Sequence, residues 1–379
     1  MQILHYCACL RLIDGGIPRA ILELTSGLST AGKSVKVFVT EGNDFPPPEV
    51  GVQAMQTGPF DYSQNRFSDQ RLALLKQHIA DADVLHLHSP WEPANIQLAK
   101  LAHDVATPYV VSIHGLVNDR VMRTNPIKKR LYLRFGGRKL LHRAAIVHSD
   151  SQESKKQCDR WIPKANYKIV PLVFNPSEHL APPPTSDPDK YWPQRESKKP
   201  VVLFYAPLQS ECGIELAIEA VAKIIQKRPV RFIIAGRSET IFEQNIVKLI
   251  HQLDMQNHTT FVGEISGDRK TALLRATDVF VEPANVESLN FTVYEAMACG
   301  VPIVISRNAP LARELEESEG ALLIEENANA ISIAIETLLN NPTLQATMGN
   351  AAKTWVASQF EDETRTNNYV RMYREIMNQ

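Results

Sequence analysis

Residues 282–304 read EPANVESLNFTVYEAMACGVPIV, and this stretch decides the fold. The apolar run Val279–Val281 ahead of it is a strand that ends at Pro283. A loop carries Glu287. A helix opens near Ser288 and runs to Ala298 with Glu295 inside it, and Gly300-Val301-Pro302 turns the chain into the next apolar run. Strand, loop, helix and strand in this order make one unit of a parallel sheet. Glu287 stands at the loop–helix junction and Glu295 two turns into the helix. Both can face a cleft at the C-terminal edge of the sheet, where open α/β folds bind ligands. Two carboxylates there suit the hydroxyls of a sugar and a ribose, and the N–H groups of Ser288, Leu289 and Asn290 suit a phosphate.

The same alternation extends both ways. Residues 2–10 form an apolar strand, Gly15 and Gly16 a turn, Ile17–Ser29 an amphipathic helix, and Ser34–Thr40 a second strand. Further strands are expected at Val84–His88, Tyr109–His114, Ala145–His148 and Lys168–Pro171. Residues 176–200 are rich in proline and charge, which excludes regular helix and central strand and marks an interdomain connection. The alternation then restarts with Val201–Ala206, Arg231–Ala235, Thr260–Val262, Val279–Val281, Pro302–Ile305 and Ala321–Ile324. Leu344–Gln379 is helical by pattern, with Trp355, Phe360, Tyr369 and Met372 as its buried positions. Such alternation argues for parallel sheets covered on both faces.

Bulk composition narrows the function. With 379 residues the chain suits two domains better than one core. A 44% hydrophobic and 22% charged composition is that of a globular enzyme, and a net charge of -1 gives no global case for nucleic-acid binding. Cys7, Cys9, Cys158, Cys212 and Cys299 form no CxxC pair, which argues against zinc and a disulfide framework and for the reduced thiols of a cytoplasmic protein. The N-terminus lacks the basic region of a signal peptide, and no run approaches the ~20 apolar residues of a membrane span.

Segment 282–304 resembles the E-x7-E element of the retaining GT-B glycosyltransferases, the group called glycosyltransferase family 4. Other pieces fall in the family's order: Gly15-Gly16-Ile17, Gly32-Lys33-Ser34-Val35, VVSIHG ending at Gly115, VGEIS from Val262, and EAMACG ending at Gly300. The resemblance implies an α/β fold of GT-B type, with two Rossmann-like doubly wound domains facing a cleft and a C-terminal helix crossing back to the first. Residues 1–171 would form the acceptor-side domain, 172–355 the nucleotide-sugar domain, and 356–379 the crossing helix. It also implies transfer of a hexose from a UDP- or GDP-linked donor to a glycan or lipid-linked acceptor, with retention and with neither metal nor cofactor. Such an enzyme belongs to polysaccharide or glycoconjugate synthesis.

The resemblance also assigns roles. Gly15 and Gly16 match the loop that approaches the donor phosphates. His114 matches the position beside the reacting carbon of the donor sugar, and Glu287 the residue that holds sugar hydroxyls; these two are the catalytic candidates. Glu295 matches the ribose ligand. Ala235–Ser238, with Arg237, and Val262–Glu264 would frame the base. His88 and Trp91 fall on the acceptor side. His86 and His88 share one face of a strand, but no Asp-x-Asp pair follows a strand, so no metal site is assigned.

The chain departs from the family where the donor diphosphate is neutralised. An Arg and a Lys are usual there, and YAPLQSECG instead has Pro207 and Cys212. Losing one preorganised donor costs ~3 kcal/mol of barrier. Arg19, Arg237 and Arg307 are candidate substitutes. The departure keeps two other readings open: a non-catalytic accessory protein of the same fold, and a sugar-nucleotide epimerase. Finally, residues 120–143 contain nine Lys or Arg and no acid, with apolar residues between them. This stretch, Arg120–Arg143, is expected to face an anionic membrane on its cytoplasmic side, where each basic residue adds ~1 kcal/mol. A nucleic-acid partner is not expected, because no binding module is recognisable.

Overall fold

The computed structural model describes residues 1–11, 15–42, 51–181, 199–209, 212–237, 240–283, 291–309, 311–360 and 364–378. The chain divides into two compact units, Met1–Phe174 with Asp362–Gln379, and Asn175–Glu361.

In the first unit β1 (Gln2–Cys9), β2 (Ser34–Glu41), β3 (Val52–Gln56), β4 (Val84–His88), β5 (Tyr109–Ser112), β6 (Ile146–Ser149) and β7 (Tyr167–Ile169) form one parallel sheet. Its order is β3-β2-β1-β4-β5-β6-β7. β1 and β4 lie side by side with His5 opposite His86. The order runs outward from that pair in both directions, so β1/β4 is the switch point where ligands bind in such sheets. β1 buries both faces, which is why it reads as a continuous apolar run. One face packs on the helix Gly16–Thr30 through Ile21, Leu24 and Leu28, and the other on Leu75, Ile79, Leu98 and Leu141. Edge strand β3 went unread because only Val52 of its five residues is buried, so it shows no period.

The last helix, Thr364–Met377, belongs to this first unit. Tyr369, Met372, Tyr373 and Ile376 recur at helical spacing and are buried in the same core as Ile21 and Leu28. The C-terminal helical segment is two helices, Pro342–Phe360 and Thr364–Met377, and Trp355 is half-buried where full burial was expected.

The second unit repeats the plan. β8 (Val201–Tyr205), β9 (Arg231–Ala235), β10 (Thr259–Gly263), β11 (Val279–Glu282), β12 (Ile303–Ser306) and β13 (Ala321–Ile324) form a parallel sheet of order β10-β9-β8-β11-β12-β13. Its switch point is β8/β11. Gly236, after β9, has φ +127, and a Cβ there would stand 2.0 Å from the Ala206 carbonyl oxygen, so only glycine lets these two strand ends approach. The proline-rich stretch needs one correction: Ser177–Leu180 is a single helical turn that starts directly after Pro176. A proline ahead of the first turn removes no helical hydrogen bond. Among the described residues no helix is long and apolar enough to cross a membrane.

Candidate functional site

The first unit concentrates imidazoles at its switch point. Strand alternation puts His5 of β1, His86 and His88 of β4, Ser112 of β5 and His148 of β6 on one face. His114 follows β5 by two residues in a left-handed conformation, φ +47, and is 6% exposed. A non-glycine residue held there is a strained turn of the kind found at ligand sites. His88 joins the set. Its Nε2 shares a hydrogen bond of 3.0 Å with His5 Nδ1, and its Nδ1 one of 2.9 Å with His114 Nε2.

A second chain runs beside the first. The His148 Nε2–H donates to the Val170 carbonyl at 2.8 Å, which leaves Nδ1 bare to accept from the Ser112 hydroxyl at 2.7 Å. Ser112 Oγ in turn accepts from the His86 Nε2–H at 2.7 Å, and His86 Nδ1 accepts from the Tyr373 hydroxyl at 2.7 Å. Only the Val170 carbonyl is restricted to accepting, and it fixes the direction of every bond after it. Burial disfavours charge on all five rings. It lowers His5 and His114 to about 3 and His148 to about 4, and His86 and His88 also fall well below the ordinary imidazole value. The set is neutral at pH 7.

His5, His86 and His88 each bring a nitrogen within 4.8 Å of the others, the spacing of a metal trio. Their rings argue against that use. His88 stacks on His5 at 15° and on His86 at 25°, so their in-plane lone pairs run side by side and do not converge. Both nitrogens of His86 and of His88 are already bonded within the protein. His88, expected on the acceptor side, is 1% exposed, and its two nitrogens are bonded to His5 and His114. Trp91 is half-buried, and its Nε1–H donates to the Leu116 carbonyl at 2.6 Å, on the turn that carries His114. Gly15 caps the helix Gly16–Thr30 with φ +106, a conformation that glycine adopts without strain.

In the second unit Glu295 lies in the helix Phe291–Ala298 and is 3% exposed. Lys270 Nζ stands 2.5 Å from its Oε2, and His179 Nε2 3.6 Å from its Oε1. Burial alone would raise this carboxyl, but the His179 hydrogen bond and the Lys270 charge outweigh it and bring the group down to about 2. Lys270 also donates to Thr292 Oγ1 at 3.2 Å, in the first turn of that helix, and lies 4.7 Å above the ring of Tyr205 at the end of β8. Burial and the charges of Glu295 and Glu264 push Tyr205 up to about 12, against the pull of its hydrogen bond to Ile265. Glu264 and Arg237 are both exposed, at the ends of neighbouring strands that meet through the Gly236 N–H and the Gly263 carbonyl at 2.9 Å. Glu287, Ser288, Leu289 and Asn290 lie outside the described residues.

Two of the candidate substitute cations are paired elsewhere: Arg19 with Glu23 at 2.7 Å and Arg307 with Glu325 at 2.9 Å. Cys212 is 1% exposed in the core of the second unit, where burial raises its thiol to about 11. The sequence reading missed Lys270, His179, His5 and His148. Lys270 carries a readable signal, since it stands three and four residues before the buried Leu273 and Leu274 and so shares the inward face of its helix. His5 and His148 carry one too, as polar residues inside otherwise apolar, buried strand runs. His179, in a one-turn helix, carries none.

The model of the family "Glycosyl transferases group 1" matches residues 189–355, and that of the "Glycosyl transferase 4-like domain" matches residues 15–173. An uncharacterized glycosyltransferase of Methanocaldococcus jannaschii is 25% identical, over 96% of this chain and 95% of that one. A phosphatidyl-myo-inositol mannosyltransferase of Mycolicibacterium smegmatis is 25% identical, over 88% of this chain and 83% of that one. In fold, the chain matches the crystal structure of Anabaena HepE in complex with UDP and glucose with a TM-score of 0.80, at 19% identity, over 99% of both chains. With the two family models together covering most of its length, this chain belongs to the group 1 glycosyltransferases and has the GT-B fold of two parallel α/β domains.

Proposed function

We propose that this protein transfers a hexose from a nucleoside-diphosphate sugar to a glycan or lipid-linked glycan, with retention of anomeric configuration. The observation that carries the reading is the buried, ionised Glu295 beside Lys270 at the opening turns of the helix Phe291–Ala298. A carboxylate kept charged inside the protein still has lone pairs for the hydroxyls of a ribose, as charge-assisted hydrogen bonds. The Lys270 ammonium, beside Thr292, adds a full positive charge to the positive end of the helix. That combination suits a diphosphate, and in this reading Lys270 replaces the cations that Pro207 and Cys212 leave out. In this reading His114 belongs to the part of the site that takes the donor sugar. The departing phosphate takes the acceptor's proton as its bond to the anomeric carbon breaks, and the new bond forms on the same face. The HepE structure holds UDP and glucose, and the mannosyltransferase relative acts on phosphatidyl-myo-inositol; both support this class of donor and acceptor.

A thermal-shift panel of UDP, GDP, ADP and CDP, alone and sugar-linked, tests the reading, because a ligand that binds only the folded state raises its melting temperature. One nucleotide is expected to give a clear rise that Lys270→Gln reduces by about 10- to 100-fold in affinity, the worth of a hydrogen bond to a charged group. No rise with any nucleotide at millimolar concentration moves the assignment to an accessory protein. Isomerised sugar released without acceptor marks an epimerase.

A further inference from the structure

The basic stretch folds beside a cavity in the first unit. Its helices Pro126–Tyr132 and Arg138–Arg143 are joined through the turn Leu133–Gly137, which kinks at Gly136. Gly136 has φ +156, and a Cβ there would stand 2.9 Å from Ile96 Cδ1, so glycine lets the kink close on the neighbouring helix. Beside this turn opens a cavity of about 820 Å3, lined by Arg130, Arg134, Arg138 and Lys139 together with buried Met122 and half-buried Trp161. Among the described residues no acid lines it, and none of the four cationic side chains has an ion pair or hydrogen bond. The Trp161 indole N–H donates to Asp119 at 2.8 Å, but Arg160 already holds that carboxylate at 3.1 Å.

Like charges four residues apart repel on a helical segment, and Arg130, Arg134 and Arg138 have that spacing. A chain of net charge -1 has acids enough to neutralise them, yet residues 120–143 hold none. The concentration fits an anion that binds from outside. Three of the four cations are arginines, whose planar forks match phosphate oxygens in pairs. A phosphomonoester carries up to about two charges and presents three oxygens, and a diester has fewer of both, so the monoester is the better match. Phe135 lines the same cavity and is 76% exposed, and Leu131 and Ile127 are exposed in the turns before it. A soluble phosphate gives such side chains nothing to contact, whereas a lipid does. We infer that the cavity is a docking site for the phosphomonoester headgroup of a membrane lipid, held by Arg130, Arg134, Arg138 and Lys139 while Phe135 enters the leaflet. The site goes beyond sugar transfer, since it uses neither the sugar donor nor Glu295 and Lys270.

Binding of the full chain to phosphatidylcholine vesicles tests it, with phosphatidic acid or phosphatidylglycerol added to equal surface charge. The phosphatidic acid vesicles are expected to bind about tenfold more tightly, the worth of one further hydrogen bond between charged groups. Equal binding to the two in the unaltered protein overturns the site and leaves only a diffuse basic surface. Two double variants locate the preference. Arg134→Gln with Arg138→Gln is expected to abolish it. Lys128→Gln with Arg143→Gln removes the same charge outside the cavity and is expected to keep it. All four side chains are exposed, so both double variants should melt like the unaltered protein. An equal loss of preference in the two also overturns the inference. Glycerol 3-phosphate at millimolar concentration separates the sources of the phosphate. Binding of that compound without vesicles, undiminished in Phe135→Ser, would give the cavity to a soluble phosphate and overturn the lipid assignment.

Discussion

At the scale of single residues, Glu295 joins stability to binding. Its carboxyl is held at about 2 in the folded chain, below the ordinary value of 4.5. A carboxylate with a depressed folded pKa stabilises fully above its unfolded pKa, and that stability is lost as pH falls toward the folded value. A shift of this size corresponds to about 3 kcal/mol, present at pH 7 and largely gone near pH 2. Glu295→Gln is therefore expected to destabilise the protein by roughly that amount at pH 7 in urea titration, and by much less at pH 3. Equal destabilisation at both pH values would show that packing, and not charge, is what the substitution removes. Lys270 explains why the site tolerates a buried acid: unpaired, it would be neutral.

At the scale of elements, the basic stretch is a run of short helices, Asp119–Arg123, Pro126–Tyr132 and Arg138–Arg143, joined through the wider turn Leu133–Gly137. Ile127, Leu131 and Phe135 follow one another at four-residue spacing and are 74%, 47% and 76% exposed. One of the nine cations faces inward, since Lys129 donates to the Val121 and Thr124 carbonyls and lies over Trp91. Exposed apolar side chains among cations fit an anionic bilayer surface, where the chains enter the leaflet and the charges meet phosphates. Co-sedimentation with vesicles is expected to require anionic phospholipid. Ile127→Ser and Phe135→Ser are each expected to weaken it about tenfold, the worth of one large apolar side chain. Neither side chain is buried, so both variants should fold normally. Equal binding to neutral and anionic vesicles would sink the assignment.

At the scale of the whole molecule, the two units should respond differently to acid. His5, His86, His88, His114 and His148 are neutral in the folded first unit, with pKa values below that of the unfolded chain. Below about pH 6.5 the unfolded chain binds protons that the folded unit refuses, so stability falls with pH by about 1.4 kcal/mol per unit for each ring. Five rings together remove about 7 kcal/mol per pH unit, set against the ~5–15 kcal/mol that holds a typical domain. The first unit is expected to open between about pH 6 and 4, a window above the one in which Glu295 titrates. Hydrogen exchange read by mass spectrometry at pH 5 should show peptides of 1–174 and 364–378 losing protection while those of the second unit keep theirs. Uniform protection in both units at that pH would show that the imidazoles are not the controlling groups.

The sequence alone determined the two parallel α/β domains and the family. Those rest on local patterns: apolar runs of strand length, helical periods, and glycines at turns with φ that other residues resist. The first strand, the helix after Gly15 and the strand Arg231–Ala235 were all legible for that reason. Edge strand β3 was not, because an edge buries little and shows little period. The candidate site was legible only where one stretch carries it, as Glu295 is carried by its helix. Whatever several elements build together was not. The ion pair of Glu295 with Lys270 joins two helices, and the imidazole row joins β1, β4 and the turn after β5. Such groups are chosen by which strands become neighbours at the switch point, and only the folded sheet decides that.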